Sequence, residues 1–192
     1  VPDAELLALV GAAESHPEGL FFPETYRFHK GASDVEILKR AYKDMQSHLT
    51  RLWDTRTSNL PLKSPYEALI LASVVEKETG QASERPQIAA VFINRLNSNM
   101  RLQTDPTVIY GLGASFDGNL TKVHLRTDTP YNTYTRGGLP PTPIAVPGLG
   151  ALAAVLQPAK GPWLYFVSRG DGTHFFSSTL AEHNRAVAQY QK

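Results

Sequence analysis

At 192 residues with 42% apolar side chains, the chain has the size and composition of one globular domain with a core of its own. Lys and Arg number 19 against 18 Asp and Glu, a formal charge of +1 with no basic block, so nothing points to the clustered basic face that a nucleic-acid partner requires. There is no cysteine, so a disulfide scaffold, a thiol nucleophile and a Cys-ligated metal are excluded.

Val1 to about His16 reads as a short helix, with Leu6, Leu7, Leu9 and Val10 apolar. It reads as the tail of something larger, ahead of a main domain at 17–192. The chain begins Val1-Pro2-Asp3 rather than with Met, no signal peptide is visible, and no apolar run approaches the roughly 20 residues of a membrane span. Any anchor is expected upstream of these residues. Pro17 and Gly19 then break the chain, and Leu20 to Phe28 alternates in the manner of a strand or extended loop.

Ser33 to about Leu52 is a predicted helix, opened by the Ser33/Glu36 capping box and carrying Val35, Leu38, Tyr42, Met45, Leu49 and Leu52 as an apolar stripe. Ser64-Pro65-Tyr66-Glu67 opens a second helix that runs to about Thr79, apolar around most of its circumference and therefore central. A third runs from about Arg85 to Leu96. Residues 97–147 carry Gly, Pro, Asn, Asp and Thr without a sustained period, and read as a long ordered loop region. Gly148 to Gln157 is a short helix, Trp163 to Val167 and His174 to Phe176 form a hairpin about Arg169-Gly170-Asp171-Gly172, and Thr179 to Gln189 is the last helix. The expected fold is α+β: a helical core around the central helix, a C-terminal β-hairpin, and a loop region over a cleft.

Glu76 stands where the central apolar run ends. It is either the first solvated residue past a core helix or a desolvated carboxyl group, which holds its proton to higher pH and can donate it. Glu78 lies roughly 200° away around the helix, so the two are not a dyad. Ser73 shares the face of Glu76, whose small side chains leave room for a ligand. Glu78 reads as a helix-end ion-pair member or a groove residue. Gln103, Thr104 and Asp105, ahead of Tyr110, offer the dense hydrogen-bonding capacity that sugars require, although Asp105-Pro106 is equally a turn or helix start. Asn132 and Tyr134, leading into Gly137-Gly138-Leu139-Pro140-Pro141, suit an N-acetyl group or simple loop packing. The six histidines are scattered without metal-ligand spacing, and no cofactor motif is present.

These segments, in this order, resemble the YceG-like family of endolytic murein transglycosylases. The resemblance rests on Glu18-Gly19-Leu20-Phe21-Phe22-Pro23-Glu24-Thr25-Tyr26, Ala72-Ser73-Val74-Val75-Glu76-Lys77-Glu78-Thr79, Val91-Phe92-Ile93-Asn94-Arg95-Leu96 and Arg101-Leu102-Gln103-Thr104-Asp105-Pro106-Thr107-Val108. Tyr131-Asn132-Thr133-Tyr134, Gly138-Leu139-Pro140-Pro141, Leu164-Tyr165-Phe166-Val167 and Glu182-His183-Asn184 complete it. Each motif alone is weak; the ordered set is specific.

The resemblance implies a lyase that cuts within peptidoglycan glycan strands, with the first glutamate of Glu-Lys-Glu-Thr, here Glu76, as acid and then base. Ser73, Glu78, Gln103, Thr104, Asp105, Asn132 and Tyr134 are the expected substrate-binding residues. It further implies a membrane helix and a LysM-like subdomain, of which 1–16 would be a remnant or edge. A place at the periplasmic face of the inner membrane, beside peptidoglycan synthases, and no cofactor or metal are also implied. A glutamate without an acidic neighbour fits ring closure better than hydrolysis, which needs a second carboxylate. A glycoside hydrolase and a non-catalytic glycan-binding module remain the alternatives.

Overall fold

The computed structural model describes residues 2–14 and 16–191, and among these it is α+β, with eight α-helices and one antiparallel hairpin. Helix α1 (Asp3–Val10) ends at Gly11, whose left-handed conformation (φ 75°) stops it, and it packs on α2 (Asp34–Asp54). Leu7 of α1 joins the same apolar core as the helices that follow.

Helix α3 (Pro65–Glu78) is the centre of the molecule. Ser64 caps it by accepting from the Glu67 amide, and Pro65 occupies the first turn, where its missing N–H leaves no bond unmade. The Glu67 carboxylate turns back to the Lys63 amide (2.6 Å) rather than to that of Ser64. Every residue from Ala68 to Val75 is buried, which requires cover on all sides. α2 supplies Met45 and Leu49, α4 (Arg85–Asn97) supplies Ile88 and Phe92, and α7 (Leu149–Leu156) supplies Leu152 and Leu156. Each fully buried Leu or Phe contributes roughly 1.5–3 kcal/mol relative to exposure, so truncating Leu71 to Ala would cost about 2–5 kcal/mol.

The region expected to lack regular structure contains two short helices, α5 (Asp105–Leu112) and α6 (Lys122–Arg126). Neither carries a sustained apolar stripe, and α6 is only five residues long. They form because local chemistry starts them: Pro106 sits in the first turn of α5, and the Thr121 hydroxyl and His124 ring cap α6 reciprocally. Strands β1 (Tyr165–Ser168) and β2 (His174–Ser177) pair with Tyr165 opposite Ser177 and Ser168 opposite His174. Helix α8 (Leu180–Tyr190), opened by the Thr179/Glu182 capping box, packs on this hairpin.

Arg95 fastens the parts around a cleft. It is a cation on the buried side of α4, 8% exposed. Its Nε donates to the Leu164 carbonyl (2.7 Å) before β1, and its Nη1 to the Leu102 carbonyl (2.6 Å) before α5. The C-terminus of α3, the start of α5, the Tyr131–Tyr134 segment, β1 and α8 thereby meet at one place.

Candidate active site

Glu76 and Glu78 diverge as their helical spacing requires, and it is Glu78 rather than Glu76 that faces the cleft. Glu76 does not line the cleft. Its Oε1 pairs with Arg85 Nη2 at 2.8 Å, and its Oε2 accepts from the Gly148 amide at 3.0 Å, at the N-terminal end of α7. Gly150 has no side chain because a Cβ there would come within 2.8 Å of Arg85 Nη1. The N-terminal end of α7 and the guanidinium both hold the Glu76 carboxylate, so the residue joins α3, α4 and α7. The open face expected beside Glu76 is closed by the chain itself. Ser73 is fully buried: its hydroxyl donates to the Ile70 carbonyl (2.7 Å) and accepts from the Ile144 amide (2.9 Å). It pins the proline-rich loop to α3 and is not placed to touch a ligand.

Glu78 faces a cleft of about 550 Å³, which it lines with Gln103, Asp105 and Tyr134. Its Oε2 accepts from the Thr104 hydroxyl at 3.0 Å. Burial pushes its carboxyl group up to about 7, with the Thr104 hydrogen bond opposing that rise, the Asp105 charge adding to it and the Arg95 charge opposing it. A carboxyl group that is half protonated near neutral pH can give and retake a proton. Asp105 Oδ1 accepts from the Tyr134 hydroxyl at 2.5 Å. That phenol is raised well above its usual range, first by burial and then by the Asp105 bond, so it stays a donor. The left-handed conformation of Gln103 (φ 50°) turns the chain into α5, its amide donating to the Thr133 carbonyl (3.2 Å).

Two expected sugar-binding residues have no capacity left for a sugar. Asn132 is fully buried; its Nδ2 donates to the carbonyls of His124, Leu125 and Thr127, and its Oδ1 accepts from the Tyr134 amide. It closes the end of α6 and orients Tyr134. Thr104, 1% exposed, serves Glu78 with its hydroxyl and receives the Thr107 hydroxyl at its carbonyl. Of the expected set, Gln103, Asp105, Tyr134 and Glu78 line the cleft.

Unlike the isolated carboxylate expected, Glu78 has an acidic neighbour: Asp105 shares its cleft and raises its proton affinity. Asp128 is remote from this chemistry: Arg136 holds it through two hydrogen bonds of 2.9 Å and depresses it to about 2.

The sequence reading missed the far wall of the cleft, built by Arg95, Tyr165, His174, His183 and Asn184. Arg95 was legible in principle as a cation inside an apolar helix. His183-Asn184 was visible as a motif without a role. Among the described residues no group of three or more His, Cys, Asp or Glu is arranged to hold a metal ion, and no helix is long and apolar enough to cross a membrane.

Comparison with known proteins places this architecture. The sequence profile of the YceG-like family matches residues 3–189. A Bacillus subtilis protein named endolytic murein transglycosylase is 41% identical over 177 residues, covering 91% of this chain and 48% of the relative. A Streptococcus pneumoniae protein of the same name is 31% identical over 180 residues, covering 90% of this chain and 32% of the relative. The chain thus spans about half, or less, of the length of these relatives. The crystal structure of a YceG-like protein from Listeria monocytogenes superposes with a TM-score of 0.78 at 36% identity, over 95% of this chain and 62% of that one.

Proposed function

The chain belongs to the YceG-like family, and from that premise we propose that it is the catalytic part of an endolytic murein transglycosylase, with Glu78 as its acid and base. The observation that carries this reading is a carboxyl group raised to about 7 at the floor of a polar cleft. Protonated Glu78 gives its proton to the oxygen linking N-acetylmuramic acid to the following N-acetylglucosamine. As that C1–O bond breaks, the C6 hydroxyl of the muramoyl sugar attacks C1. Glu78, now a carboxylate, takes the C6 hydroxyl proton, and a 1,6-anhydro ring closes without water. One carboxylate is protonated at the start and again at the end, so the enzyme is restored.

Thr104 holds one carboxylate oxygen and leaves the other to face the substrate. Arg95 limits how far burial raises the group, so that it can still ionise in mid-cycle. Tyr134, fixed by Asp105 and by the Asn132 side chain, presents a rigid polar edge to the sugar. We further propose, from where such a substrate lies, a place at the periplasmic face of the inner membrane, beside the enzymes that polymerise glycan strands.

Asp105 favours a second reading, in which a water molecule replaces the C6 hydroxyl and the reaction is hydrolysis. Mass spectrometry of fragments released from purified peptidoglycan separates the two. The transglycosylase product is lighter than the hydrolysis product by one water. Release of the heavier product would refute ring closure, and binding without any release would refute catalysis.

A further inference from the structure

Resting on the reading of the Glu78 cleft as a glycan site, we infer that the wall formed by α8 is a second subsite, which takes the acetamido group of an N-acetylhexosamine further along the strand. Leu180, His183, Asn184, Val187 and Gln191 line the same cleft as Glu78. Their spacing of three and four residues puts them on one stripe of the helix. Such a stripe, facing inward, is ordinarily apolar and packed. Here the buried residue of α8 is Ala186, and the stripe facing the cleft mixes two apolar side chains with two amides and an imidazole.

The imidazole is held in place. Tyr165 of β1 stacks on the His183 ring (centroids 5.2 Å apart, planes at 25°) and meets the Arg95 guanidinium 5.3 Å from its own centroid. Burial and the Arg95 charge lower the proton affinity of His183, so it is the neutral ring, with one donor and one acceptor nitrogen, that faces a ligand. Its Nδ1 is buried without a protein partner, which leaves Nε2 to make the contact.

An acetamido group presents one N–H, one carbonyl and one methyl. The Asn184 amide answers the first two in either orientation, and the neutral imidazole answers one of them. Leu180 and Val187 offer apolar surface to the methyl. A carboxylate, such as a peptide stem carries, needs a cation instead. The cation of this wall, Arg95, has its Nε and Nη1 committed to the carbonyls of Leu164, Leu102 and Arg101, which leaves it no free bidentate edge for a carboxylate.

The test uses the Glu78→Gln protein, in which no turnover consumes the probe, titrated with a peptide-free hexasaccharide of alternating N-acetylglucosamine and N-acetylmuramic acid. NMR follows the His183 ring and the Asn184 side-chain amide. Saturable shifts of both signals are expected, and they are expected to vanish with the de-N-acetylated hexasaccharide. Asn184→Ala should weaken hexasaccharide binding by about tenfold, the loss of roughly one to two hydrogen bonds. If the hexasaccharide shifts Gln103 and Tyr134 but not His183 or Asn184, the α8 subsite is wrong and the proposed function stands. If no signal in the cleft moves, both fall. The unsubstituted α8 wall supplies the decisive signals, so the test holds even if Asn184→Ala fails to fold.

Discussion

Replacing Glu78 with Gln should make the protein more stable at alkaline pH while leaving its stability near pH 4 almost unchanged. The carboxyl group rises from its ordinary 4.5 to about 7 because the folded chain removes it from water. In the window between those two values the folded state binds more protons than the unfolded state, so stability falls as pH rises through it. Below 4.5 both states hold the proton and there is no penalty. Above about 7 the penalty is complete. At about 1.4 kcal/mol for each tenfold change in proton affinity it comes to roughly 3 kcal/mol, an upper value since Glu78 is only partly buried. Gln keeps the shape and still accepts from the Thr104 hydroxyl, but it cannot ionise. Urea unfolding of both proteins at pH 4.5 and pH 8.5 measures the difference. The expected result is a gain of about 2–3 kcal/mol for the variant at the higher pH and less than about 0.5 kcal/mol at the lower. An equal difference at both pH values would refute the claim that Glu78 is desolvated in the folded chain.

Other outcomes follow from the same contacts. With the parent chain, kcat/KM for glycan cleavage should fall above about pH 7 as Glu78 loses its proton. In Thr104→Val that descending limb should move to higher pH, because the lost hydroxyl favours the ionised form; a limb that stays in place would separate Thr104 from the acid. Asn132→Ala leaves the carbonyls of His124, Leu125 and Thr127 without their donor. It should cost about 2–4 kcal/mol in chemical denaturation and disorder Tyr134, and a loss below about 0.5 kcal/mol would contradict its structural role. Ser73→Ala strands the buried Ile144 amide and should cost about 1–3 kcal/mol, yet leave KM for glycan unchanged once the protein is folded.

The elements legible in the sequence are those whose cause is local. Ser33 with Glu36 and Thr179 with Glu182 satisfy their own helix ends and Pro65 acts on the turn it occupies, whereas Gly11 stops at Val10 a helix expected to run to about His16. Helix α5 was legible only as a possible start at Asp105-Pro106, because its Gly, Thr and Tyr mix shows no apolar stripe, and α6, five residues long, holds too few turns to reveal one. The divergence of Glu76 from Glu78 followed from helix geometry, but which of them opens on a cleft depends on distant residues. Arg85 and Gly148 close over the first, whereas Thr104 and the Tyr134 loop frame the second. Asn132 and Thr104 read as sugar ligands because polar residues in a loop serve either a ligand or the loop itself. The backbone of the buried loop took the Asn132 side chain, and the Glu78 carboxylate took the Thr104 hydroxyl.

The central claim is that Glu78, and not Glu76, performs the proton transfers. Glu78→Gln and Glu76→Gln, each shown folded by circular dichroism, should be incubated side by side with purified peptidoglycan and the anhydro-ended fragments counted by mass spectrometry. Glu78→Gln is predicted to lower their release by at least about 10³-fold, as expected for losing a general acid. Glu76→Gln weakens the tie to Arg85, at about 1–2 kcal/mol of stability, and should keep cleavage within about tenfold of the parent. Abolished release with Glu76→Gln, together with sustained release by Glu78→Gln, would contradict the account.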